Sequence, residues 1–347
     1  MHESSVVRSL ILSPFRLLHS DSVESWPMIT RVMLGLLTVL MAQLAVATTL
    51  RVGNPKTAEY QSVQAAVDAL PETGGTVEIA AGTYREKLVI ARPGVKLVGK
   101  GNRPQDVVLV WGDSNKSAGG TGKSASVWAS GDGFEAHHLT IQNDYHLNNP
   151  ERSQAVALRL TADRVVLTHV RLLGAQDTLY AASKSPDSPS RQYFRDCYIE
   201  GHVDFIFGDA KAFFDRCHIH GIANEIVMIT AQSKVKPEQD SAYVFDRCRI
   251  TADAGVKELW LGRAWRPYAT VVFLRTRIDA PLQPAGWREW TPGTTETFKT
   301  ATYREYQSTG QGASVATRVA SARQLTKSET KAWSLKNFLS GSDGWHP

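Results

Sequence analysis

The chain contains 347 residues, of which 42% are hydrophobic and 21% are charged, and its formal net charge is +5. This composition excludes an intrinsically disordered protein and allows a large hydrophobic core. A basic excess suits nucleic acid, an anionic membrane or an acidic polysaccharide as the partner. No run of five or six basic residues and no nucleic-acid motif occurs, so we expect no nucleic-acid partner.

The first element in the chain is an apolar stretch that follows Arg31. It reads VMLGLLTVLMAQLAVA, and a basic start, about 15 apolar residues and a small-x-small end are typical of a secretory signal peptide. The alternative is a transmembrane anchor, which needs about 20 residues. We predict export with cleavage after Ala47, and translation that begins at Met1, Met28 or Met33.

This cleavage divides the chain into residues 1–47, an upstream extension plus signal peptide, and residues 48–347, a single domain. The first part holds three basic and three acidic residues, so the second keeps 36 basic and 31 acidic ones and the whole charge of +5. The charge therefore belongs to the folded part. We expect a protein that is secreted or periplasmic, with no membrane contact after signal cleavage.

The segment SVQAAVDAL, residues 62–70, predicts an amphipathic helix. One of its faces carries four apolar residues, which are Val63, Ala66, Val67 and Leu70. The runs GTVEIAAGTY, VKLVGKG and DVVLVWG that follow alternate as strands do. The stretch SAGGTGKS at 117–124 lacks the GxxxxGK[ST] spacing of a phosphate loop, and we interpret it as a mobile loop.

A sequence pattern then recurs six times: apolar-x-x-small-x-aliphatic. The copies begin 31, 27, 20, 31 and 28 residues apart, and they are AHHLTI (136–141), LTHVRL (167–172), FRDCYI (194–199), FDRCHI (214–219), FDRCRI (245–250) and FLRTRI (273–278). Apolar residues alternate inside each copy, as in strands with one buried face. Short strands repeated once per turn without helices between them predict a single-stranded parallel β-helix, an all-β solenoid.

Both ends of a solenoid need a cover. The helix at 62–70 is expected to cap the first rung. Near the other end, Thr326 and Glu329 form a capping-box pattern that opens KSETKAWSLKNFL, and Gly341 lies where a helix C-cap is expected. We therefore predict a second capping helix there.

Two acids occupy equivalent positions in successive rungs. Asp177 lies five residues after Leu172, and Asp204 lies five residues after Ile199. Because parallel strands stack about 4.8 Å apart, the two carboxyls should face each other closely, with one pKa lowered and the other raised. A shared proton would explain why Asp204 stands beside an apolar run. The alternative is an Asp ladder that merely closes two turns, since Asp favours turns.

Five blocks in order carry a resemblance to a known family: GTYREKL (82–88), QAVAL (154–158), GAQDTLY (174–180), DFIFGDA (204–210) and LGRAW (261–265). They resemble the signature blocks of the pectin methylesterases, or pectinesterases, of the bacterial type. The resemblance implies a right-handed parallel β-helix that removes methyl esters from pectin. One departure is Ala264, where the family usually has proline, and a looser turn is its expected effect.

The resemblance also implies roles for individual residues. Asp204 would be the nucleophile and Asp177 the acid that protonates methanol, while Gln176 and Gln154 would donate hydrogen bonds to the oxyanion. Arg263 would hold Asp204 ionised. The glutamines could instead satisfy turn backbone, and Arg263 could form an ordinary surface ion pair.

Aromatic residues near these blocks are candidates for sugar contact. Trp265 is the first of them, with the alternative of a core residue, and the others are Tyr180, Phe205, Trp287 and Trp290. No zinc pattern occurs among the ten His residues. We predict no metal and no cofactor, a monomer, and pectin as the partner.

Three other classes of function compete with this one, and the first is a different pectin-active β-helix enzyme, a lyase or a galacturonase. A pectin lyase would need calcium-binding acids, and a galacturonase an adjacent Asp pair and a Gly-His-Gly block, neither of which appears. A carbohydrate-binding or envelope protein without activity would not need a paired acid and nucleophile. An esterase of the same fold that acts on a non-pectin ester fits the same residues.

The three cysteines share one column of the repeat. Stacked rungs would bring Cys197, Cys217 and Cys248 within the Cα distance that a disulfide tolerates, about 4.4 to 6.8 Å. An oxidising compartment would then favour a Cys197–Cys217 bond with Cys248 free. A ladder of three buried thiols is the alternative.

Overall fold

A computed structural model describes residues 48–347 and shows a right-handed parallel β-helix. The predicted signal peptide lies outside the described residues. Within them, the strands form one sheet of eleven strands (sheet A) and two of eight (sheets B and C), and every paired neighbour is parallel. The fold class predicted from the repeat is confirmed.

Each turn of the β-helix contributes one strand to each sheet in the middle of the molecule. Sheet A contains Thr49–Val52, Gly75–Ile79, Val95–Gly99, Glu135–His137, Val165–Thr168, Arg191–Arg195, Lys211–Asp215, Ala242–Asp246, Thr270–Leu274, Thr302–Tyr306 and Ala322–Gln324. Sheet B contains Gly82–Arg85, Val107–Trp111, Thr140–Asn143, Arg171–Leu173, Tyr198–Gly201, His218–Gly221, Arg249–Ala252 and Arg277–Asp279. Sheet C contains Leu88–Ile90, Val127–Ala129, Leu158–Leu160, Leu179–Ala181, Ile206–Gly208, Ile226–Gln232, Glu258–Arg263 and Trp287–Arg288.

Helices are short in the described part of the chain. The α-helices are α1 (Val63–Ala69), α2 (Asn115–Ala118), α3 (Tyr145–Asn148) and α4 (Leu335–Leu339), and the 3₁₀ turns are Pro104–Asp106, Thr121–Ser124, Thr297–Lys299 and Glu329–Lys331. Between residues 48 and 347, none has the length and apolarity needed to cross a bilayer. The Ser62 hydroxyl accepts a hydrogen bond from the Ala65 amide and caps α1, whose apolar face packs on the first strands of sheets A and C. The predicted N-terminal cap is confirmed.

The repeat forms the core, as its alternation predicted. Its first column stacks inside the coil in the register of sheet A, where the rings of Phe194, Phe214, Phe245 and Phe273 follow one another at centroid distances of 4.4 to 4.6 Å. Such stacked pairs contribute about 0.5–1.5 kcal/mol beyond the burial of their area. The sixth column stacks equally in sheet B. Each rung is therefore held in a fixed register with the next.

The third column of the repeat makes the corner between sheets A and B. All six of its residues have φ between 49° and 57°, and they are His138, His169, Asp196, Arg216, Arg247 and Arg275. This left-handed conformation is uncommon for residues other than glycine. Ion pairs join neighbouring rungs at this corner, for example between Arg216 and Asp196 at 3.0 Å. The sequence pattern had left these positions without a role.

The C-terminal segment differs from the prediction. Thr326 and Glu329 do form the capping hydrogen bonds, with the Thr326 amide 2.7 Å from the carboxylate, but only one 3₁₀ turn follows. Helix α4 begins separately after Ser334 and ends at Leu339, and its C-cap is Ser340 and not Gly341. Instead of covering the last rung, α4 packs Phe338 and Leu339 on apolar residues of the outer face of sheet A.

Two further predictions are wrong. The stretch at 117–124 is not an irregular loop: it contains the end of α2 and a 3₁₀ turn, in which the fully buried Ser124 hydroxyl accepts a hydrogen bond from the Val156 amide at 3.0 Å. The three cysteines are buried free thiols, so the Cys197–Cys217 bond is absent. Each thiol lies instead against a carbonyl of the preceding rung, as Cys217 does against Phe194 at 3.5 Å, because stacked side chains point in parallel and not at each other.

Candidate active site

The two acids lie at the corner between sheets B and C. Asp177 and Asp204 follow successive strands of sheet B, and the pairing of Leu179 with Ile206 makes them equivalent positions on adjacent rungs. Both have positive φ, 66° and 52°, a conformation that Asp tolerates better than most residues. They are only 9% and 6% exposed. The fold therefore holds the two carboxyls close together, because their backbones lie on adjacent rungs, roughly 4.8 Å apart.

Arg263 joins this pair from two rungs further along the coil. It is the last residue of the strand Glu258–Arg263, and its Nε and Nη2 donate to the two oxygens of Asp204 at 3.0 and 2.7 Å. Such a two-pronged contact fixes both the charge and the plane of a carboxylate. Arg263 also stacks on Trp290, with its Cζ 4.2 Å from the ring centroid. The pair is therefore mostly buried, unlike an ordinary surface ion pair.

The surroundings of the two acids give them different pKa values. Burial raises the pKa of Asp177 well above its ordinary value, and the nearby Asp204 carboxylate raises it further. Burial also raises the pKa of Asp204, but the hydrogen bonds and charge of Arg263 oppose that rise. A single proton in this site therefore belongs on Asp177, and the negative charge belongs on Asp204.

Gln154 and Gln176 lie beside the acids on adjacent rungs. Their backbones form an isolated parallel bridge, and the Ala155 amide donates to the Gln176 carbonyl at 3.1 Å. Within residues 48–347, the amide group of neither side chain forms a hydrogen bond to the turn backbone or to another side chain. Both side chains are half-buried and line the cleft. Their N–H groups thus remain available to a bound molecule.

A cleft of about 320 Å³ opens over these groups. Its walls hold Thr121, Gly122, Gln154, Gln176, Asp177, Tyr180, Asp204, Phe207, Ala231, Arg263, Trp265 and Trp290. Tyr180 stacks on Phe207 at 4.3 Å between centroids, and Trp265 lies 6.1 Å from Phe207. A larger cavity of about 580 Å³ elsewhere, beside Arg191 and Asp343, contains neither acid of the pair. The smaller cleft therefore combines reactive groups with apolar surface.

Two predicted sugar contacts are wrong. Phe205 and Trp287 belong to the hydrophobic core, and Trp287 stacks on Tyr303 inside the coil at 3.9 Å. Neither can reach a molecule in the cleft. Tyr180, Trp265 and Trp290 do line it, and the half-buried Trp265 is not a core residue.

Phe207 was the contact that the sequence analysis missed. The signal was present, because Asp204 follows Asp177 by 27 residues and the same offset leads from Tyr180 to Phe207, its partner in the sheet. The offset places Phe207 on the cleft face. Phe205 and Ile206 are consecutive, so regular strand alternation would point their side chains to opposite faces. Both side chains face the core because the corner at Asp204 interrupts that alternation.

No group of three or more His, Cys, Asp or Glu side chains between residues 48 and 347 is arranged to hold a metal ion. Among the described residues that line the cleft, two carry carboxyls, and Arg263 donates hydrogen bonds to both oxygens of one of them. The chemistry that these residues can supply is nucleophilic attack, proton transfer and hydrogen bonding to a developing negative charge.

Comparisons with known proteins identify the family to which the β-helix belongs. The pectinesterase family model matches residues 49–342. Pectinesterase 31 of Arabidopsis thaliana is 35% identical over 311 residues, which cover 85% of this chain and 93% of the relative. The solved pectin methylesterase from carrot superposes with a TM-score of 0.78 at 30% identity, covering 86% of this chain and 95% of its own. A pectin methylesterase crystallised with a hexasaccharide gives a TM-score of 0.72 at 25% identity, covering 87% and 98%.

The fold and the family match define a β-helical ester hydrolase. The chain belongs to the pectinesterase family. It is a carboxylic ester hydrolase that binds pectin, removes its methyl esters, and yields methanol and de-esterified galacturonate.

Proposed function

We propose that the Asp204 carboxylate is the nucleophile of this reaction. It attacks the carbonyl carbon of a galacturonate methyl ester, and the carbonyl electrons move to oxygen. A single observation carries the proposal: the buried Asp204 carboxylate is held in one orientation by two hydrogen bonds from Arg263, one rung from an acid of raised pKa. An ionised, oriented carboxylate is what attack requires.

Asp177 then donates its proton to the departing methoxide, which leaves as methanol. Its raised pKa keeps the proton in place until the leaving oxygen needs it. The product of this step is an anhydride between Asp204 and the galacturonate. Asp177, now ionised, takes a proton from a water molecule, which hydrolyses the anhydride and frees Asp204. The proton is thereby restored to Asp177, and one water is consumed for each methanol released.

Gln154 and Gln176 are proposed to stabilise the oxyanion. Their side-chain amides carry N–H groups that have no hydrogen-bond partner among residues 48–347, and they lie at the edge of the acid pair. Preorganised donors of this kind lower the barrier because they gain strength as negative charge develops. Trp265 and Tyr180 would pack against sugar rings, since both present aromatic surface to the cleft.

Other properties remain proposals. We infer a single catalytic domain at 48–347, a monomer, and export to the periplasm or the exterior, on the basis of the signal-like segment and the polymeric substrate. The comparisons do not support the bacterial-type assignment, because the Arabidopsis and carrot proteins named above are plant proteins.

The decisive experiment measures methanol release and polymer length together on highly methylated pectin. We expect methanol without chain shortening. Asp204→Ala should fold and release none, because it lacks the nucleophile. Asp215→Ala is the matched control: it removes another buried acid, paired with Arg247 at 2.9 Å outside the cleft, and should lower the melting temperature while releasing methanol. A folded Asp204→Ala protein with the parental rate would exclude this mechanism.

A further inference from the structure

A column of outward-facing side chains runs along sheet C beside the acids. Register pairs Trp128 with Arg159, Arg159 with Tyr180, and Tyr180 with Phe207. Tyr180 and Phe207 line the cleft. Arg159 lies two rungs from Phe207, or roughly 10 Å at about 4.8 Å per rung. The cleft wall therefore continues into a position occupied by a cation.

Aromatic rings on both sides hold the Arg159 guanidinium. Its Cζ lies 4.4 Å from the ring centroid of Trp128 and 5.6 Å from that of Tyr180. The Trp128 ring is itself anchored, since its Nε1 donates to the Thr161 hydroxyl at 3.0 Å. This arrangement fixes the plane of the guanidinium and removes part of its hydration.

No acid in the described part of the chain balances the charge of Arg159. Among residues 48–347, no carboxylate lies within ion-pair distance of it, and its buried Nε has no hydrogen-bond partner. Its one hydrogen bond to a described residue is a long contact of 3.4 Å from Nη1 to the Gly122 carbonyl. Arg263, in contrast, uses the same fork to bind both oxygens of Asp204.

The turn at Gly122 completes the position. A Cβ at residue 122 would lie 3.1 Å from Nη1 of Arg159 and 3.3 Å from the Tyr180 ring, so only glycine packs there without displacing them. Gly122 also lines the cleft. The same turn thus borders both the cleft and Arg159.

We propose that Arg159 binds the free carboxylate of a galacturonate unit adjacent in the chain to the unit whose ester reacts at Asp204. A fixed guanidinium without a partner matches a planar carboxylate, which accepts two parallel N–H bonds, and discriminates against a neutral methyl ester. The inference rests on the proposed function, because it requires pectin to lie in this cleft. It implies that the enzyme favours esters beside units that are already de-esterified.

Kinetics on two substrates test this assignment. On partly de-esterified pectin, Arg159→Gln should raise KM about tenfold with kcat unchanged, the fold-change of one lost charge-assisted hydrogen bond. On fully methylated pectin, KM should stay near the parental value. Inhibition by unmethylated hexagalacturonate should weaken by the same factor of about ten.

Arg171→Gln is the matched control. Arg171 also stacks on an aromatic ring, with Cζ 5.2 Å from the Tyr198 centroid, but it lies on sheet B away from the cleft. Its replacement should change neither KM nor inhibition. Equal losses in the Arg159 and Arg171 variants, or an Arg159→Gln enzyme that weakens on both pectins alike, would overturn the assignment.

A measurement on the unaltered enzyme covers the case in which Arg159→Gln does not fold. Hexagalacturonate should bind at least about tenfold more tightly, by calorimetry, than the same hexamer with its carboxyls reduced to alcohols. Equal affinities would refute a carboxylate site. The two proposals fail separately: absence of methanol release would refute the catalytic function, whereas calorimetric binding reports on the carboxylate site without catalysis.

Discussion

Replacement of Asp177 by asparagine tests where the proton resides. Burial and the Asp204 charge raise the pKa of Asp177 in the folded protein, whereas in the unfolded chain it is about 3.9. Between these two pKa values, the folded protein holds one proton more than the unfolded chain. The free energy of unfolding therefore falls by about 1.4 kcal/mol for each unit of rising pH, through this group alone.

The variant Asp177→Asn has no proton to lose and escapes that penalty. Relative to the parental protein, we expect it to gain up to about 1.4 kcal/mol of stability per pH unit above pH 4, until the folded pKa is reached. Its methanol release should nevertheless be severely impaired, because an amide cannot deliver a proton. Urea unfolding at several pH values, followed by tryptophan fluorescence, measures the gain.

Asp163→Asn is the control of opposite sign. Burial would raise the pKa of Asp163, but hydrogen bonds and charge from Arg191 outweigh it and hold that pKa below its ordinary value. This acid stabilises the fold above its unfolded pKa and loses that effect as pH falls. Asp163→Asn should therefore be less stable at neutral pH and approach the parental protein in acid. If the stability difference of Asp177→Asn were constant between pH 5 and 8, the proton assignment would be refuted.

Three further outcomes are expected. Arg263→Lys should lower kcat/KM at least about tenfold, since an ammonium cannot reproduce a fork whose bonds contribute about 1.5–3 kcal/mol each. The control Arg318→Lys breaks an equally forked pair with Glu305 and should lower only the melting temperature. Equal kinetics for the two variants would contradict the role of Arg263. Phe245→Ala should cost about 3–5 kcal/mol in urea unfolding because it empties the aromatic stack, and a loss below about 1 kcal/mol would show that the stack is not tightly packed. Denatured, unreduced protein should titrate three thiols, and a value of one would restore the disulfide.

The rungs could be predicted from the sequence because apolar residues alternate in the same way in the strand of every copy of the repeat. The stacking of Phe194 on Phe214 and the equivalence of Asp177 and Asp204 both follow from counting residues. Counting fails where the chain turns a corner. Phe205, directly after the corner residue Asp204, faces the core, and the left-handed conformation responsible for the corner is not encoded in hydrophobicity.

The C-terminal segment that contains α4 shows a second limit of prediction from the sequence. The apolar residues of LKNFL show that one face of α4 is buried, but not which surface covers it. The outer face of sheet A offered Tyr193 and Phe213, which alternate with the inward Phe194 and Phe214. A strand that is apolar on both faces predicts that something packs on each side. The sequence therefore indicated two apolar surfaces that need a cover, the face of α4 and the outer face of sheet A. It did not indicate that these surfaces, more than a hundred residues apart in the chain, pack on each other.

That pairing bears on how the molecule comes apart. In a plain solenoid each rung touches only its neighbours, so the ends can unravel one turn at a time. Here the tail returns from beyond the last rung to the middle of the coil, where Phe338 lies 6.2 Å from Phe213 between ring centroids and Asp343 binds Arg191 at 2.6 Å. Fraying of the final rungs must first detach this strap and expose the apolar face beneath it. The strap therefore couples the end of the coil to its centre and makes unfolding more cooperative than the repeat architecture alone allows.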